Sequence, residues 1–222
     1  MAPRGLFRFG LVIVSGPEPG AKRAMSFVDG QNLFHHAKAA FGYRTPNVDP
    51  LALARAVCAR QRWRHAGVHF YTGVPSPRKN PRWHSYWKRR LFGMRRRGVR
   101  ATERPLRYHR VEGLLRDGSR GRAEVPQEKG IDICIALDII RLAAEGRLDV
   151  AVLFSQDQDF EEVAREVRRI AARQRRWIKI ASAFPTSPTA TSRVGIRRTD
   201  WIRLDHDFYG SCLDRTDYFA DS

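Results

Sequence analysis

The sequence predicts an α/β fold: a three-layer α/β/α sandwich built on a mainly parallel central sheet. Three observations carry this. The apolar runs Ser26-Phe-Val28, Val68-His-Phe-Tyr-Thr-Gly-Val74, Val150-Ala-Val-Leu-Phe154 and Trp177-Ile-Lys-Ile-Ala-Ser-Ala183 do not alternate cleanly with polar residues, as befits strands covered on both faces. Helical stretches separate these runs through most of the chain, the order that βαβ crossovers produce. Soon after the strongest run, Phe160, Val163, Ala164, Val167, Ile170 and Ala171 follow a period of 3.6, which marks an amphipathic helix packed on a sheet.

In chain order, Ala24 to Val28 is a short apolar run closed by Asp29 and Gly30, predicting a strand and then a turn. Gln31 to Phe41 has helical composition and stops at Gly42. Pro50 opens a second helix through Arg62, since proline is tolerated in a first helical turn. Val68 to Val74, rich in β-branched and aromatic residues, predicts a strand ended by Pro75. Over Pro81 to Arg97, Trp83, Trp87, Leu91 and Met94 recur at helical spacing while Lys88, Arg89, Arg95, Arg96 and Arg97 take other faces. Val99 to Thr102 predicts another strand. Tyr108 to Val111 and Arg122 to Val125 predict a hairpin insertion, residues 108–125, with its tip at Arg116 to Gly121.

Ile131 to Ala144 satisfies a period of two at Ile131, Ile133, Ile135, Leu137 and Ile139. Its length decides for helix, because a usual strand runs about 5–6 residues and Ile140, Leu142 and Ala143 break the alternation. Asp149 to Phe154 predicts the strongest strand, a helix follows to about Arg175, and Trp177 to Ala183 predicts a further central strand. Residues 1–22 read as a poorly ordered extension, 23–205 as one folded domain and 206–222 as a tail. The extension imitates a signal peptide only weakly, since Arg8 interrupts its apolar stretch and Gly16 to Lys22 offers no small-residue cleavage site.

Composition narrows the function. Lys and Arg number 41 against 23 Asp and Glu, a formal net charge of +18, which draws polyanions to the surface. The 42% hydrophobic content suffices for one ordinary core, so the charge does not belong to a disordered basic tail. The longest apolar candidate, Ile131 to Ala144, is cut by Asp132, Asp138 and Arg141 and falls short of the ~20 residues a membrane span needs. Nucleic acid is therefore favoured over a membrane as partner. Cys58, Cys134 and Cys212 form no C-x-x-C pair, which argues for a reducing cytoplasm and against a zinc site.

In so basic a chain, acidic residues gathered at strand ends need a reason. Asp29 follows the first strand with Asn32 one turn on, Asp157 and Asp159 follow the Val150 to Phe154 run, and Asp132 lies in the first turn of the helix opened by Lys129-Gly130. In a parallel sheet such residues converge on one crevice beyond the carboxyl ends of the strands. Convergent carboxylates repel one another unless a cation neutralises them, and an oxygen-only donor set suits Mg²⁺ or Mn²⁺. The chemistry implied is phosphodiester hydrolysis. Taken singly, each residue also has a structural reading: Asp29-Gly30 as a turn, Asp157 or Asp159 as a helix cap, Asp132 as a complement to a helix N-terminus. Asp138, six residues beyond Asp132 and turned away from it on a helix, reads as a supporting acid.

The segments Phe27-Val-Asp-Gly-Gln-Asn-Leu-Phe34, Glu128-Lys-Gly-Ile-Asp-Ile-Cys-Ile-Ala-Leu-Asp138 and Val152-Leu-Phe-Ser-Gln-Asp-Gln-Asp-Phe160 together resemble the three signature blocks of the NYN domain family, a branch of the PIN-like nucleases. The resemblance covers roughly Arg23 to Asp205. It implies a PIN-like, Rossmann-like topology and divalent-metal-dependent cleavage of RNA. Asp29, Asp132, Asp157 and Asp159 fall on the acidic positions as catalytic and metal-holding residues, with Asn32 and Ser155 beside them toward substrate.

Between Arg78 and Arg110, thirteen basic residues face Glu103 alone, so the phosphate backbone is expected there, with Arg95, Arg96 and Arg97 as contacts. Tyr86 and His84 are candidates to stack on bases. The expected function is a metal-dependent endoribonuclease acting on single-stranded or loop RNA, since a rigid A-form duplex enters a crevice poorly. A non-catalytic RNA-binding module on the same fold is the alternative, and a phosphatase of the haloacid dehalogenase type ranks last. Homo-oligomers and an inhibitory protein partner stay open.

Overall fold

The computed structural model describes residues 16–114, 120–188 and 194–220. Most of the N-terminal extension and the hairpin tip, residues 1–15 and 115–119, lie outside them. Strands β1 (Arg23–Asp29), β2 (Arg64–Val74), β3 (Arg100–Pro105), β6 (Val150–Phe154), β7 (Lys179–Pro185) and β8 (Asp200–Leu204) form one sheet in the order β3-β2-β1-β6-β7-β8. Every neighbouring pair is parallel. Strands β4 (Arg107–Leu114) and β5 (Arg120–Gln127) pair antiparallel apart from that sheet, with Val111 opposite Ala123 and His109 opposite Val125. The expected sandwich is thus present, and β4 and β5 pair over the segments read as the arms of a hairpin.

Among the described residues, six α-helices accompany the strands: α1 (Gly30–Phe41), α2 (Pro50–Arg60), α3 (Pro81–Arg96), α4 (Ile131–Ala144), α5 (Glu161–Gln174) and α6 (His206–Gly210). The strands split their side chains between two cores. On β1, Ala24 and Val28 face the core shared with α1, α2 and α3, while Met25 and Phe27 face the one shared with α4 and α5. On β6, Val152 and Phe154 go one way and Ala151 and Leu153 the other. This two-sided burial is why these runs show no polar alternation.

Helix α4 resolves the ambiguous apolar run. Ile131, Ile135, Ile139 and Leu142 are buried at helical spacing, whereas Ile133 and Leu137 point outward, about 60% exposed. The apparent period of two arises from apolar residues on the outer face.

Two features depart from expectation. Strand β8 has no counterpart in the sequence reading. Its pattern alternates, with Ile202 and Leu204 buried and Trp201 and Arg203 exposed, as an edge strand does, and five residues are too short a stretch to declare themselves. Nor is the stretch after residue 205 a loose tail. Tyr209 and Cys212 are buried, the Tyr218 carbonyl accepts from Arg89 Nε at 3.0 Å, and the Phe219 ring stacks on Tyr86 at 4.6 Å. Tyr209 packs against Phe41 and Tyr43 beside α1, while Tyr218 and Phe219 pack on α3.

The chain adds strands outward from β1 to β3, then returns to lay β6 against the other side of β1. Between β1 and β6 the connections leave in opposite directions, which opens a crevice beyond the strands' carboxyl ends.

Candidate active site

Asp29 ends β1 and caps α1, its Oδ1 accepting from the Asn32 backbone N–H at 3.1 Å. The helix starts immediately because the next residue is glycine: a Cβ on Gly30 would lie 2.8 Å from the Tyr71 carbonyl oxygen and 2.7 Å from the Phe70 ring. Asn32 reaches across the crevice, its Oδ1 accepting from the Gln156 backbone N–H at 3.0 Å. That bond ties the turn after β1 to the turn after β6. Ser155 is buried, with its Oγ accepting from Asp157 N–H at 3.2 Å and its carbonyl accepting from Ser182 Oγ at 2.8 Å. The residues expected to touch substrate, Asn32 and Ser155, therefore shape the loops that carry the carboxylates.

The third wall is the turn into α4. Gly130 adopts φ 77, a left-handed conformation that glycine takes without strain, and α4 begins with no side-chain cap. Glu128 accepts a hydrogen bond from the Gly73 backbone N–H on β2. A Cβ on Gly73 would lie 2.7 Å from Glu128 Oε2 and 2.3 Å from Leu106, so glycine is needed to seat that carboxyl. The result is a cleft of about 270 Å³ lined by Asp29, Asp132 and Asp157 together with Glu128, Lys129, Gly130 and Ile131.

The carboxylates act on one another there. Burial pushes Asp29 up to about 6, helped by the charges of Asp157 and Asp132 and opposed by the N–H of Asn32. Burial likewise raises Glu128 to about 7, with Asp29 and Asp132 adding to it and Gly73 N–H opposing. Glu128 was not among the expected site residues. Its signal lay in the block it opens, Glu128-Lys-Gly-Ile-Asp132, but nothing local shows that β2 folds over it.

Four oxygen-donor carboxyls on one cleft, Asp29, Glu128, Asp132 and Asp157, fit a hard divalent cation such as Mg²⁺ or Mn²⁺ in donor chemistry. Among the described residues no three His, Cys, Asp or Glu side chains stand in a preformed metal-holding group. Mg²⁺ commonly takes one or two carboxylates and completes its shell with water and substrate phosphate, so a closed protein cage is not required.

Other expected residues lie elsewhere. Asp159 is exposed and outside the lining; its backbone N–H donates to Asp157 Oδ1 at 3.0 Å, in the single 3₁₀ turn Gln158–Phe160. Asp138 is engaged by Tyr71 Oη at 2.7 Å and Arg141 Nη2 at 2.8 Å. Against the opposing cost of burial, those bonds hold it below the usual carboxylate range, in keeping with a supporting role.

Arg95, Arg96 and Arg97 are not brought to the cleft. They close α3 on the side where β3 begins, away from the strand ends that carry Asp29 and Asp157. Arg97 pairs with Asp49 at 2.9 Å and Asp214 at 3.4 Å, Arg95 donates to the Ala101 carbonyl at 3.0 Å, and Arg96 sits over the Phe92 ring. Tyr86 is no stacking platform: it is buried, and its hydroxyl bonds the Pro46 carbonyl. His84 Nδ1 is turned to the Pro75 carbonyl at 2.8 Å. A helix of period 3.6 distributes its charges all round, and the sequence does not say which face meets the crevice.

Comparison with known proteins adds three findings. The family model described as NYN domain matches residues 23–193. No curated protein matches the chain. Among solved structures, a protein of unknown function from Vibrio parahaemolyticus is similar at 21% identity over 86% of this chain and 98% of its own, with a TM-score of 0.50, a likeness of fold. Ribokinase from Giardia lamblia is similar at 12% identity over 78% of this chain and 53% of its own, with a TM-score of 0.36, too distant to inform the site.

Proposed function

The chain belongs to the NYN domain family of PIN-like nucleases, and from that premise we propose that it is a divalent-metal-dependent endoribonuclease that hydrolyses single-stranded or loop RNA in the cleft of Asp29, Asp132 and Asp157. The observation that carries this reading is the convergence of those carboxylates with Glu128 on one cleft, where burial and mutual repulsion raise Asp29 and Glu128. A surface built only to bind RNA gains nothing from carboxylates facing a polyanion. They become useful once a cation lies between them and the phosphate, which disfavours the non-catalytic alternative.

Asp29, at the end of β1, Asp157, in the turn after β6, and Asp132, in the first turn of α4, would hold the cation. When bound, it would activate water and offset charge on the phosphoryl oxygens. Asn32 fixes the relative position of the two loops through Gln156 N–H. Asp157 in turn caps the Gln158–Phe160 turn, so its carboxylate is oriented by the backbone that follows it. Asp159 enters this reading as an outer carboxylate at the mouth.

No helix among the described residues is long and apolar enough to cross a membrane. Three free cysteines support a reducing, cytoplasmic setting, and the nuclease unit is taken to run from residue 23 to 205.

Purified protein incubated with unpaired RNA, duplex RNA and single-stranded DNA, each with Mg²⁺, Mn²⁺ or chelator, tests the proposal. Cleavage of unpaired RNA that needs the metal is the expected result. Binding without turnover under every metal condition would leave the module reading instead.

A further inference from the structure

Two cations beside the carboxylate cleft make no ion pair with an acidic group among the described residues. Lys129 lines the cleft and is exposed. Arg104, on β3, reaches over the turn into α4: a Cβ placed on Gly130 would lie 3.7 Å from Arg104 Cζ and Nη1. Neither makes an ion pair among the described residues, and Arg104's one hydrogen bond runs from Nη1 to Cys134 Sγ at 3.5 Å. Three cations nearby are instead paired with acids. Lys79 pairs with Glu124, Lys88 with Glu103 at 2.8 Å, and Arg141 with Asp138 at 2.8 Å.

The backbone fixes where both residues stand. Arg104 pairs in register with Gly73, whose N–H is held by Glu128, and Lys129 follows Glu128 directly. Lys129 therefore sits within a short turn anchored to the sheet through Glu128, and Arg104 stands on the strand beside it. Placed next to a carboxylate cleft, they give it two signs: acidic groups toward β1 and β6, basic groups toward β3.

We propose that Arg104 and Lys129 bind a backbone phosphate of the single strand adjacent to the one presented to the carboxylates, and so set the direction in which the strand crosses the cleft. This rests on the nuclease reading for its substrate and assigns that substrate's phosphate contact to the α4 turn in place of Arg95, Arg96 and Arg97. A phosphate accepts from guanidinium and ammonium donors in a charge-assisted way, and each neutralised phosphate releases counterions from the strand.

The test is the affinity of a fluorescein-labelled unpaired RNA oligonucleotide, read by anisotropy in chelator across a salt series, for wild type, Lys129→Gln, Arg104→Gln and Lys129→Arg. Each charge-removing variant should lose several-fold in affinity and flatten the slope of log K against log salt by about 0.7, the share of one phosphate contact on a single strand. Lys129→Arg should keep the wild-type slope. Thermal melts of the same variants establish that they fold, which exposed positions permit. An unchanged slope in both charge-removing variants, whether or not affinity falls, would overturn the assignment, because a structural role moves affinity without removing an ionic contact. Since binding is read without metal, a protein that binds in this way yet never cuts would refute the nuclease reading alone.

Discussion

The carboxylate cleft and the C-terminal end of α3 are both dense in charge, and they treat it in opposite ways. At the end of α3, Arg97 is held by Asp49 and Asp214, and Arg95 by a carbonyl and by Glu103 at 3.8 Å. In the cleft, burial first and neighbouring carboxylates second raise the affinity of Asp29 and Glu128 for protons. Charge satisfied within the chain fastens α2, α3 and the C-terminal segment together. Charge left unsatisfied at the switch point of the sheet is held ready for something the chain does not contain. A count of basic residues along the sequence points to the first region, whereas the balance of partners points to the second.

The sharpest way to break this contrast is to neutralise the cleft. Asp29→Asn and Asp157→Asn should each lower the cleavage rate by about 100-fold or more at saturating metal, a loss on the order of 3 kcal/mol in barrier, while circular dichroism stays unchanged. Asparagine still caps α1, so a lost fold is not expected. Wild-type turnover in either variant would remove the cleft from the chemistry.

A second measurement uses pH. The folded-state value of Asp29 lies above its ordinary one, so the ionised group disfavours the fold, and the cost is fully present above about pH 6 and absent below its unfolded value near 4. Glu128 behaves likewise with its upper limit near 7. His69, buried and lowered to about 4 chiefly by desolvation, contributes with the opposite slope over the same range. The informative quantity is therefore a difference. Without metal, Asp29→Asn should melt several degrees above wild type at pH 8, and the gap should close as pH falls toward 4. A gap independent of pH would mean that Asp29 is not strained by its charge.

Divalent cation should raise the melting temperature of wild type at pH 8, by mass action on the folded form, and should do so less at pH 5, where protons compete for Asp29 and Glu128. Asp29→Asn should blunt the rise. An equal rise in wild type and variant, measured by scanning calorimetry, would place the cation elsewhere.

The smallest effect is expected at the other region. Arg97→Ala removes two partly exposed ion pairs, worth up to about 1 kcal/mol together, a fall of about 2–4 °C for a chain of this size. Affinity for unpaired RNA should change less than in Lys129→Gln. An equal or greater loss at Arg97 would restore the α3 end as the binding face.

The sequence by itself determined the sandwich and most of its elements, because burial on one or two faces writes a period into the residues. It marked Asp29, Asp132 and Asp157 as well, since turn and helix-start residues follow strands at short range. It left β8 and the packing of Tyr209, Cys212 and Phe219 unannounced, because an edge strand of five residues and aromatic contacts across more than a hundred positions leave no local pattern. It also could not tell Arg95, Arg96 and Arg97 from Arg104 and Lys129. All five are exposed cations, and only the tertiary structure decided which meet an acidic partner and which stand beside the crevice. The physical reason is that secondary structure and burial are set by neighbours a few residues apart, whereas the electrostatic balance of a site is summed over groups that folding brings together from β1, β2, β3, α4 and β6.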